Sequence, residues 1–325
     1  METTHRSSIQ TSRSSPSLKR LERAGAWSAP FLKSVLPTVI RDALRALQGR
    51  ILASLAGRAL PLHKEFDQSL EDALASAPLS IIVPVHDAPE VTRRCLVSLQ
   101  KYAPKAEIIL VNDASTLEET NKLLEEFSSR NSWKLIRQVR PLGHSAACAA
   151  GAGLATRPYL CLLNSDTVVT PWCWRPIVQV FENNPKIGVA GPSTSHGGEL
   201  QTQPLAFAAR HYLNDSQICE YARRLSAECS DIIFTELPCV HGFAFFIKRS
   251  LWEQLGGFDR NLPDYGNEIE LCRRIVGMGY HVVWVRNSYV HHFGQASYRK
   301  AIGPRGILQR LRTAEDYIEQ KTPQL

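Results

Sequence analysis

Several features that define common classes of protein are absent from this chain. It has no Cys-x-x-Cys pair, and its 8 cysteines are scattered, several of them within apolar runs. This spacing argues against a zinc site and a disulfide framework, so we expect reduced thiols that pack as small apolar side chains. No apolar run reaches the roughly 18 residues of a membrane-spanning helix. The segment from Met1 to Ser17 lacks the apolar centre of a signal peptide, and a cytoplasmic location is therefore predicted.

Glycine-rich nucleotide-binding motifs and a strongly basic surface are also absent. There is no Gly-x-x-x-x-Gly-Lys loop, and no Gly-x-Gly-x-x-Gly follows the first predicted strand, which disfavours a dinucleotide cofactor. Of 38 Lys+Arg and 31 Asp+Glu, residues 1–77 hold 11 and 7, which leaves 27 and 24 for the remainder. The larger part of the chain is thus nearly neutral and lacks the basic stripe of a nucleic-acid-binding protein.

The first segment, residues 1–77, is predicted to be an extension outside the main domain. Residues 1–29 are polar and basic, a composition typical of disorder. Apolar residues recur at three- and four-residue steps from Leu36 to Leu55 and predict a helix between residues 30 and 60. This helix either docks its apolar face on the protein or a partner, or rests on a membrane surface as a basic amphipathic helix. In the second case the protein would be peripheral at the inner face of the membrane.

From residue 78 onwards, short apolar strands alternate with helical segments. The predicted strands cover residues 80–85, 107–112, 133–139 and 159–163, and the helices between them cover residues 91–102, 117–129 and 145–155. Such alternation predicts an α/β fold with a mostly parallel, Rossmann-like sheet that helices cover on both faces. A further helix is predicted over residues 305–320, and we expect it to pack on the first one.

Three of the predicted strands end in an acidic residue: Asp87, Asp113 and Asp166. Right-handed crossovers put the carboxyl ends of parallel strands on one edge of the sheet, where open α/β sheets bind ligands. An Asp at a strand end can instead cap the next helix, but three in succession favour a ligand site. Carboxylates accept hydrogen bonds from ribose and base, or hold a divalent cation that binds phosphate. A nucleotide together with a metal ion is therefore the favoured ligand.

The motifs after residue 78 resemble, in order, those of the family 2 glycosyltransferases, whose fold is called GT-A. The resembling stretches are residues 80–87 and 109–115 (the first two strands), 143–151 (a helix of small residues), 162–167 (the strand end with the metal-binding Asp), 242–249 and 255–259 (the acceptor-side strand and the turn after it), 265–274 with 279–280 (the helix that carries the catalytic base), and 290–297 (a histidine motif). The resemblance implies a GT-A domain over residues 78–298, followed by a helical tail over residues 299–325.

The resemblance also implies an activity. A hexosyltransferase of this type moves a sugar from a UDP-, GDP- or dTDP-sugar to a hydroxyl of a glycan or lipid-linked acceptor, with inversion, in the assembly of cell-surface polysaccharide or another glycan. By position, the donor nucleotide would contact Pro84, Val85, Asp87, Asp113 and Asn164.

The remaining implied roles concern the metal, the base and the acceptor. Asp166 would coordinate Mn²⁺ or Mg²⁺, and His291 would assist at the metal, with the adjacent His292 as the alternative. Glu268 would be the general base. The residues implied on the acceptor side are His241, Gly242 and Glu270.

Several residues depart from the family pattern. Asn267-Glu268 stands where a Glu-Asp pair is common, and Asn164 stands where many relatives carry an acid. Ala149 and His144 also replace the usual residues. These departures leave open a catalytically inactive GT-A protein that acts as a scaffold or binding subunit. A sugar-nucleotidyltransferase on a related sheet is a second alternative, against which the histidine motif and the helix of the base argue.

Overall fold

The computed structural model describes residues 78–197, 200–211, 213–227, 234–294 and 303–321. The extension predicted over residues 1–77 lies outside these ranges, so its helix and its contact with protein or membrane stay predictions. Among the described residues, no helix combines the length and the apolar character needed to cross a bilayer.

Within the part of the chain that the structure describes, nine strands form the central sheet. They are β1 (Leu79–Val85), β2 (Glu107–Asn112), β3 (Lys134–Arg137), β4 (Tyr159–Leu163), β5 (Thr167–Val168), β6 (Ile187–Thr194), β7 (Phe234–Glu236), β8 (Ala244–Lys248) and β9 (His281–His292). Their order is β3-β2-β1-β4-β8-β6-β9-β5, and β7 pairs with β9 at the side of this path. The strands β3, β2, β1 and β4 are parallel, whereas β8 is antiparallel to both β4 and β6, so the sheet is mixed.

Helices connect and cover the strands. They are α1 (Pro89–Tyr102), α2 (Glu118–Asn131), α3 (His144–Ala152), α4 (Trp174–Asn183), α5 (Pro204–Ala209), α6 (Asp215–Ala227), α7 (Arg249–Leu255), α8 (Asn267–Gly277) and α9 (Gly303–Lys321). The predicted helices and strands of the first half of the domain agree with these bounds to within a few residues at each end.

The sheet has an apolar core on each face. Ile81 and Val83 of β1 pack in one cluster with α1, α2 and α4, whereas Ile82 packs in a second cluster with α3, α7 and α8. This division follows from the two-residue alternation of side chains along a strand. The prediction of an α/β sheet flanked by helices is confirmed.

The parallel half of the sheet places three strand ends side by side. Val85 at the end of β1 pairs with Asn112 at the end of β2, and Ile82 pairs with Leu162 near the end of β4. The loops that carry Asp87, Asp113 and Asp166 therefore leave the sheet at the same edge, where a ligand site is expected in open α/β folds.

Candidate active site

The position of Asp166 is fixed by the backbone between β4 and β5. Thr167 of β5 lies opposite His292 of β9, and the N–H of Phe293 donates to the Asp166 carbonyl oxygen at 3.0 Å. This pairing brings the His292 ring to the carboxylate, with Nε2 3.1 Å from Oδ1 of Asp166. Both residues are less than one-tenth exposed, Asp166 at 7% and His292 at 8%.

The hydrogen bonds of His292 define which ring nitrogen carries a hydrogen. Its Nδ1 lies 2.5 Å from the carbonyl oxygen of His196, which can only accept, so Nδ1 must be protonated. In the neutral ring, Nε2 then directs a lone pair towards Asp166, and this buried atom makes no aligned hydrogen bond. Two acceptor atoms 3.1 Å apart require a cation, either a proton on Nε2 or a metal ion beside both.

Protonation of the His292 ring at Nε2 is one way to supply this cation. Burial opposes the charged imidazole, but the Asp166 carboxylate and the hydrogen bond to His196 outweigh it and raise the pKa of His292 above its ordinary value.

A divalent metal ion also fits the pair. Carboxylate oxygen and imidazole nitrogen are both ligands of Mn²⁺-type ions, and a metal-binding His usually donates its other N–H to a carbonyl, as His292 does. Within the described ranges, no three His, Cys, Asp or Glu side chains are grouped so that they could hold a metal ion. Asp166 and His292 could thus supply two of the metal ligands. A bound diphosphate and water would supply the other ligands.

The structure does not bring His291 to Asp166. The His291 ring is fully buried, with Nδ1 3.0 Å from the Tyr289 hydroxyl and Nε2 2.9 Å from the Arg210 carbonyl oxygen. Burial lowers the pKa of His291 to about 3. Because neighbouring side chains of β9 point to opposite faces of the sheet, only one of the two histidines can lie on the same face as the Asp166 carboxylate. The residue at the carboxylate is His292, which the sequence left as the alternative to His291.

Asp87 and Asp113 each hold a loop at the sheet edge. Asp87 accepts hydrogen bonds from the two backbone N–H groups that precede α2, each at 2.9 Å, so it holds the helix after β2 and does not cap α1, the next helix in the chain. Asp113 accepts from the two N–H groups in front of α3, at 2.7 and 3.0 Å. A carboxylate has about four acceptor positions, and both residues therefore keep capacity for a ligand.

The other predicted donor-contact residues lie at the same edge through their backbones. The Val85 carbonyl oxygen accepts from the Asp113 N–H at 2.8 Å, and Pro84 pairs with Val111 of β2. The Asn164 N–H donates to the carbonyl oxygen of Phe243 at 2.9 Å, which ties the end of β4 to the segment before β8.

Glu268 lies in the first turn of α8. Its N–H donates to Asn267 Oδ1 at 2.9 Å, and Gly266 at φ 75° starts the helix. The carboxylate packs against Gly242, where an added Cβ would lie 3.4 Å from Oε1. Glycine at position 242 therefore leaves the Glu268 carboxylate in contact with bare backbone.

Asn267 joins the helix of Glu268 to the donor side of the site. Its Nδ2 donates to Ser145 Oγ at 2.8 Å, and that hydroxyl donates in turn to the Leu262 carbonyl oxygen at 2.5 Å. Asn267 is 2% exposed. An ionised acid at position 267 has no donor for Ser145, so the departure from the family pattern has a local structural reason.

His144, the first residue of α3, lies among the acids of the site and was not predicted as a site residue. Burial lowers the pKa of His144, and four carboxylates oppose that shift. They are Glu268, Asp264, Asp113 and Asp166. The sequence marks position 144 only as a departure from the family pattern, because the acids around it come from four separate segments.

Two of the three residues predicted on the acceptor side lie near the Glu268 carboxylate, and the third is held in ion pairs. Gly242 contacts its carboxylate, and burial lowers the pKa of the adjacent His241 while the Glu268 charge opposes the shift. Glu270 is 3% exposed, and its carboxylate accepts from Arg274 at 2.6 Å and from Lys321 at 2.7 Å. The Glu270 carboxylate is therefore held in a buried salt bridge, and its predicted place on the acceptor side stays a prediction.

The sequence matches a known family and several curated proteins. The model of Glycosyl transferase family 2 matches residues 80–256, more than half of the chain. The O-antigen biosynthesis protein RfbC of Myxococcus xanthus is 27% identical over 262 residues, which cover 70% of this chain and 20% of that protein. The probable glycosyltransferase YdaM of Bacillus subtilis is 25% identical over 211 residues, covering 63% and 48%. The matched part of this chain thus spans from a fifth to about half of the length of these relatives.

The solved structures that are similar in fold include the following two. One is GalNAc-T7 with UDP, GalNAc and Mn²⁺, with a TM-score of 0.52 and 18% identity, covering 72% of this chain and 53% of that chain. The other is the mannosyltransferase PcManGT from Pyrobaculum calidifontis with GDP-Man and Mn²⁺, with a TM-score of 0.51 and 15% identity, covering 84% and 75%. The fold of the described chain is accordingly of the GT-A type.

Proposed function

Because this chain belongs to glycosyl transferase family 2, we propose that it transfers a sugar from a nucleotide-sugar donor to a hydroxyl of a glycan or lipid-linked acceptor. The observation that carries the proposal is the buried Asp166–His292 pair at the strand edge, in which Nε2 of His292 lies 3.1 Å from Oδ1 of Asp166. The similar proteins crystallised with UDP or GDP-Man together with Mn²⁺ support this class of donor. Relatives named for O-antigen biosynthesis and for poly-beta-1,6-N-acetyl-D-glucosamine synthesis support a role in cell-surface polysaccharide assembly.

In this proposal Asp166 and His292 hold Mn²⁺ or Mg²⁺, which when bound stabilises the negative charge of the leaving nucleoside diphosphate. The His196 carbonyl oxygen keeps the Nδ1 hydrogen of His292 in place, so that Nε2 is free to act as a ligand. Asp113 and the backbone around Val85 form the wall for the nucleoside, and burial of the pair keeps bulk water from competing for the ligand positions.

Glu268 acts as the general base. Its carboxylate lies in the first turn of α8 and packs against the backbone of Gly242. It removes the proton from the acceptor hydroxyl as that oxygen attacks the anomeric carbon, while the bond to the diphosphate oxygen breaks. Attack from the side opposite the leaving group inverts the configuration at that carbon.

The test compares variants of the two adjacent histidines and of the base. Donor binding should be measured by calorimetry over a panel of UDP- and GDP-sugars with and without Mn²⁺, and turnover by release of the nucleoside diphosphate. We expect His292→Ala to remove the Mn²⁺-dependent part of donor affinity. The matched control, His291→Ala, should lower the thermal transition but keep the Mn²⁺ dependence.

Glu268→Gln should bind donor as the wild type does and lose turnover, because the amide cannot accept the proton. Wild-type protein that binds donor but releases no nucleoside diphosphate with any donor and acceptor would contradict catalysis and favour the scaffold alternative. Incorporation of a sugar 1-phosphate with release of pyrophosphate would instead favour the nucleotidyltransferase.

A further inference from the structure

The helix α9 lies beyond the residues that the family model matches, yet it is bound to the segment that leads into α8. Lys321 Nζ donates to Asp259 Oδ2 at 2.5 Å and to Glu270 Oε1 at 2.7 Å. Arg310 forms a salt bridge with Asp264. These contacts join one helix to both ends of the segment formed by residues 259–266 and to α8 itself.

An apolar contact places α9 at the start of α8. Ile318 and Ala314 are buried with Leu262 in a cluster separate from the main cores. A Cβ added to Gly266, the residue before α8, would lie 2.8 Å from Ile318 Cδ1. The positive φ of Gly266, 75°, and this close approach both require glycine there. The side chain of Ile318 thus packs against Gly266, which precedes Glu268 by two residues in the sequence.

The opposite side of the segment formed by residues 259–266 is bound to α3. The Ser145 N–H donates to the Pro263 carbonyl oxygen at 2.8 Å, and the Ser145 hydroxyl donates to Leu262. A Cβ added to Gly143 would lie 3.0 Å from Asp264 Oδ1. The segment is therefore held between the donor-side helix α3 and the terminal helix α9.

In the ion pairs of α9 the acidic partners are buried, whereas the basic partners are largely exposed. The side chains of Asp264, Asp259 and Glu270 are 6%, 11% and 4% exposed, whereas Arg310 and Lys321 are 47% and 43% exposed. Although burial alone would raise it, hydrogen bonds from Lys321, the Asn261 N–H and Tyr317 lower the pKa of Asp259 to about 2. Removing a cation leaves a buried carboxylate without that partner, which disturbs the local structure more than loss of a surface pair does.

We propose that Arg310 and Lys321 of α9 are positioning residues for Glu268. By pairing with the buried acids they press the segment formed by residues 259–266 against α3 and set the start of α8. The Glu268 carboxylate is thereby kept in its place against Gly242. This inference rests on the proposed role of Glu268 as the base, and it assigns to α9 a contribution to turnover that is separate from donor binding.

The test uses the full-length chain with the double substitution Arg310→Ala/Lys321→Ala. With a UDP- or GDP-sugar that the wild type hydrolyses, we expect kcat to fall about ten- to a hundredfold, because small displacements of a catalytic group are costly in rate. Donor affinity with Mn²⁺ should stay within about twofold, since Asp166 and His292 lie on other elements. Hydrogen exchange should accelerate in residues 259–268 and stay unchanged in β1 and β2.

Two matched variants control for charge and for folding. Arg312→Ala removes an exposed cation from the same helix and should behave as the wild type. Arg310→Lys/Lys321→Arg keeps both charges and should recover most of kcat. Unchanged kcat in the double alanine variant would overturn the inference. So would a parallel loss of kcat and donor affinity with no recovery in the conservative variant, since that pattern is general destabilisation.

The two proposals fail in different ways. If Glu268→Gln abolishes turnover but the double alanine variant turns over normally, the inference about α9 is wrong and the proposed function stands. If Glu268→Gln turns over at the wild-type rate, the proposed base is wrong, whatever the α9 variants do.

Discussion

At the scale of single residues, Asn267 can be tested with a nearly isosteric change. Asn267→Asp keeps the size of the side chain but removes the donor to Ser145 and buries a carboxylate at a position that is 2% exposed. We expect a loss of about 1–3 kcal/mol in the free energy of unfolding, and a fall in kcat with little change in donor affinity. Urea denaturation and donor hydrolysis measure the two effects.

The matched control for this change is Asn183→Asp, on the exposed last residue of α4. It introduces the same charge and should leave both quantities unchanged. A stable, fully active Asn267→Asp protein would contradict the linking role of the amide.

A second prediction concerns stability as a function of pH. Glu107, at the start of β2, accepts from Lys134 at 2.6 Å and from the Thr156 N–H at 2.8 Å. Burial alone would raise its pKa, but Lys134 and the hydrogen bonds from Ser80 and Thr156 lower it from 4.5 to about 2. Because the folded-state pKa is the lower one, the stabilisation is complete above the unfolded-state pKa of 4.5 and is lost as pH falls towards 2.

Glu107→Gln should therefore lower the free energy of unfolding by about 2 kcal/mol at pH 7, and this difference should shrink as the pH falls below 4.5. Denaturant titrations of both proteins between pH 7 and pH 3 measure it. A difference that stayed constant over this range would show that the charge of Glu107 is not the cause. Donor turnover at pH 7 should not change, since Glu107 lies at the opposite end of β2 from Asp113.

The residues of the candidate site also show which positions a sequence pattern can predict and which it cannot. The strand that ends before Asp166 is apolar and short, so the location of this carboxylate at the sheet edge follows from local periodicity. The choice between His291 and His292 depends on which one shares a face of the sheet with the Asp166 carboxylate, and the pairing of Thr167 with His292 that decides this is non-local. Spacing to later residues carries no information about that register.

At the scale of elements, the short pairing of β5 with β9 positions His292. The Ser195 hydroxyl supports it by donating to the His292 carbonyl oxygen and accepting from the His292 N–H, each at 2.9 Å. Ser195 is fully buried. We expect Ser195→Ala to weaken Mn²⁺-dependent donor binding several-fold, because the strand end that carries His292 loses both bonds, and to leave Mn²⁺-independent binding unchanged.

Ser288→Ala is the matched control for that prediction. Ser288 is an equally buried serine of β9, and its hydroxyl donates to the Cys173 carbonyl oxygen at 2.8 Å, on another part of the strand. Both substitutions should lower stability by about 1–3 kcal/mol, but only Ser195→Ala should change the Mn²⁺ dependence. Equal effects of the two on donor binding would contradict a specific role of Ser195.

Elements of the first half of the domain were predictable, because the period of apolar residues is a local property. The strand directions of the second half were not. The segment before Arg249 is apolar in the manner of a buried strand, and nothing in its pattern distinguishes parallel from antiparallel pairing with β4. The same limit applies to α9, whose amphipathic pattern predicts a helix but not the segment formed by residues 259–266 as its partner.

At the scale of the whole molecule, the site joins two parts of the sheet. The parallel part supplies Asp113 and Asp166 at its carboxyl edge, and the later part supplies His292 from β9 and Glu268 from α8. A ligand that contacts both parts stabilises the native state by mass action, by about 2.7 kcal/mol at a hundred times its dissociation constant. For a domain of this size that corresponds to a rise of about 5–10 °C in the thermal transition.

This linkage gives the last prediction. UDP or GDP added together with Mn²⁺ should raise the thermal transition of the wild type, and chelation with EDTA should remove most of the rise, because in the proposed site Asp166 and His292 bind the diphosphate through the metal. Asp166→Ala should abolish the Mn²⁺-dependent rise, whereas Glu268→Gln should keep it, since the base contacts the acceptor hydroxyl and not the diphosphate. Differential scanning fluorimetry of the three proteins over a nucleotide titration measures each shift. An equal rise without Mn²⁺, or a full rise in Asp166→Ala, would contradict a metal held at this pair.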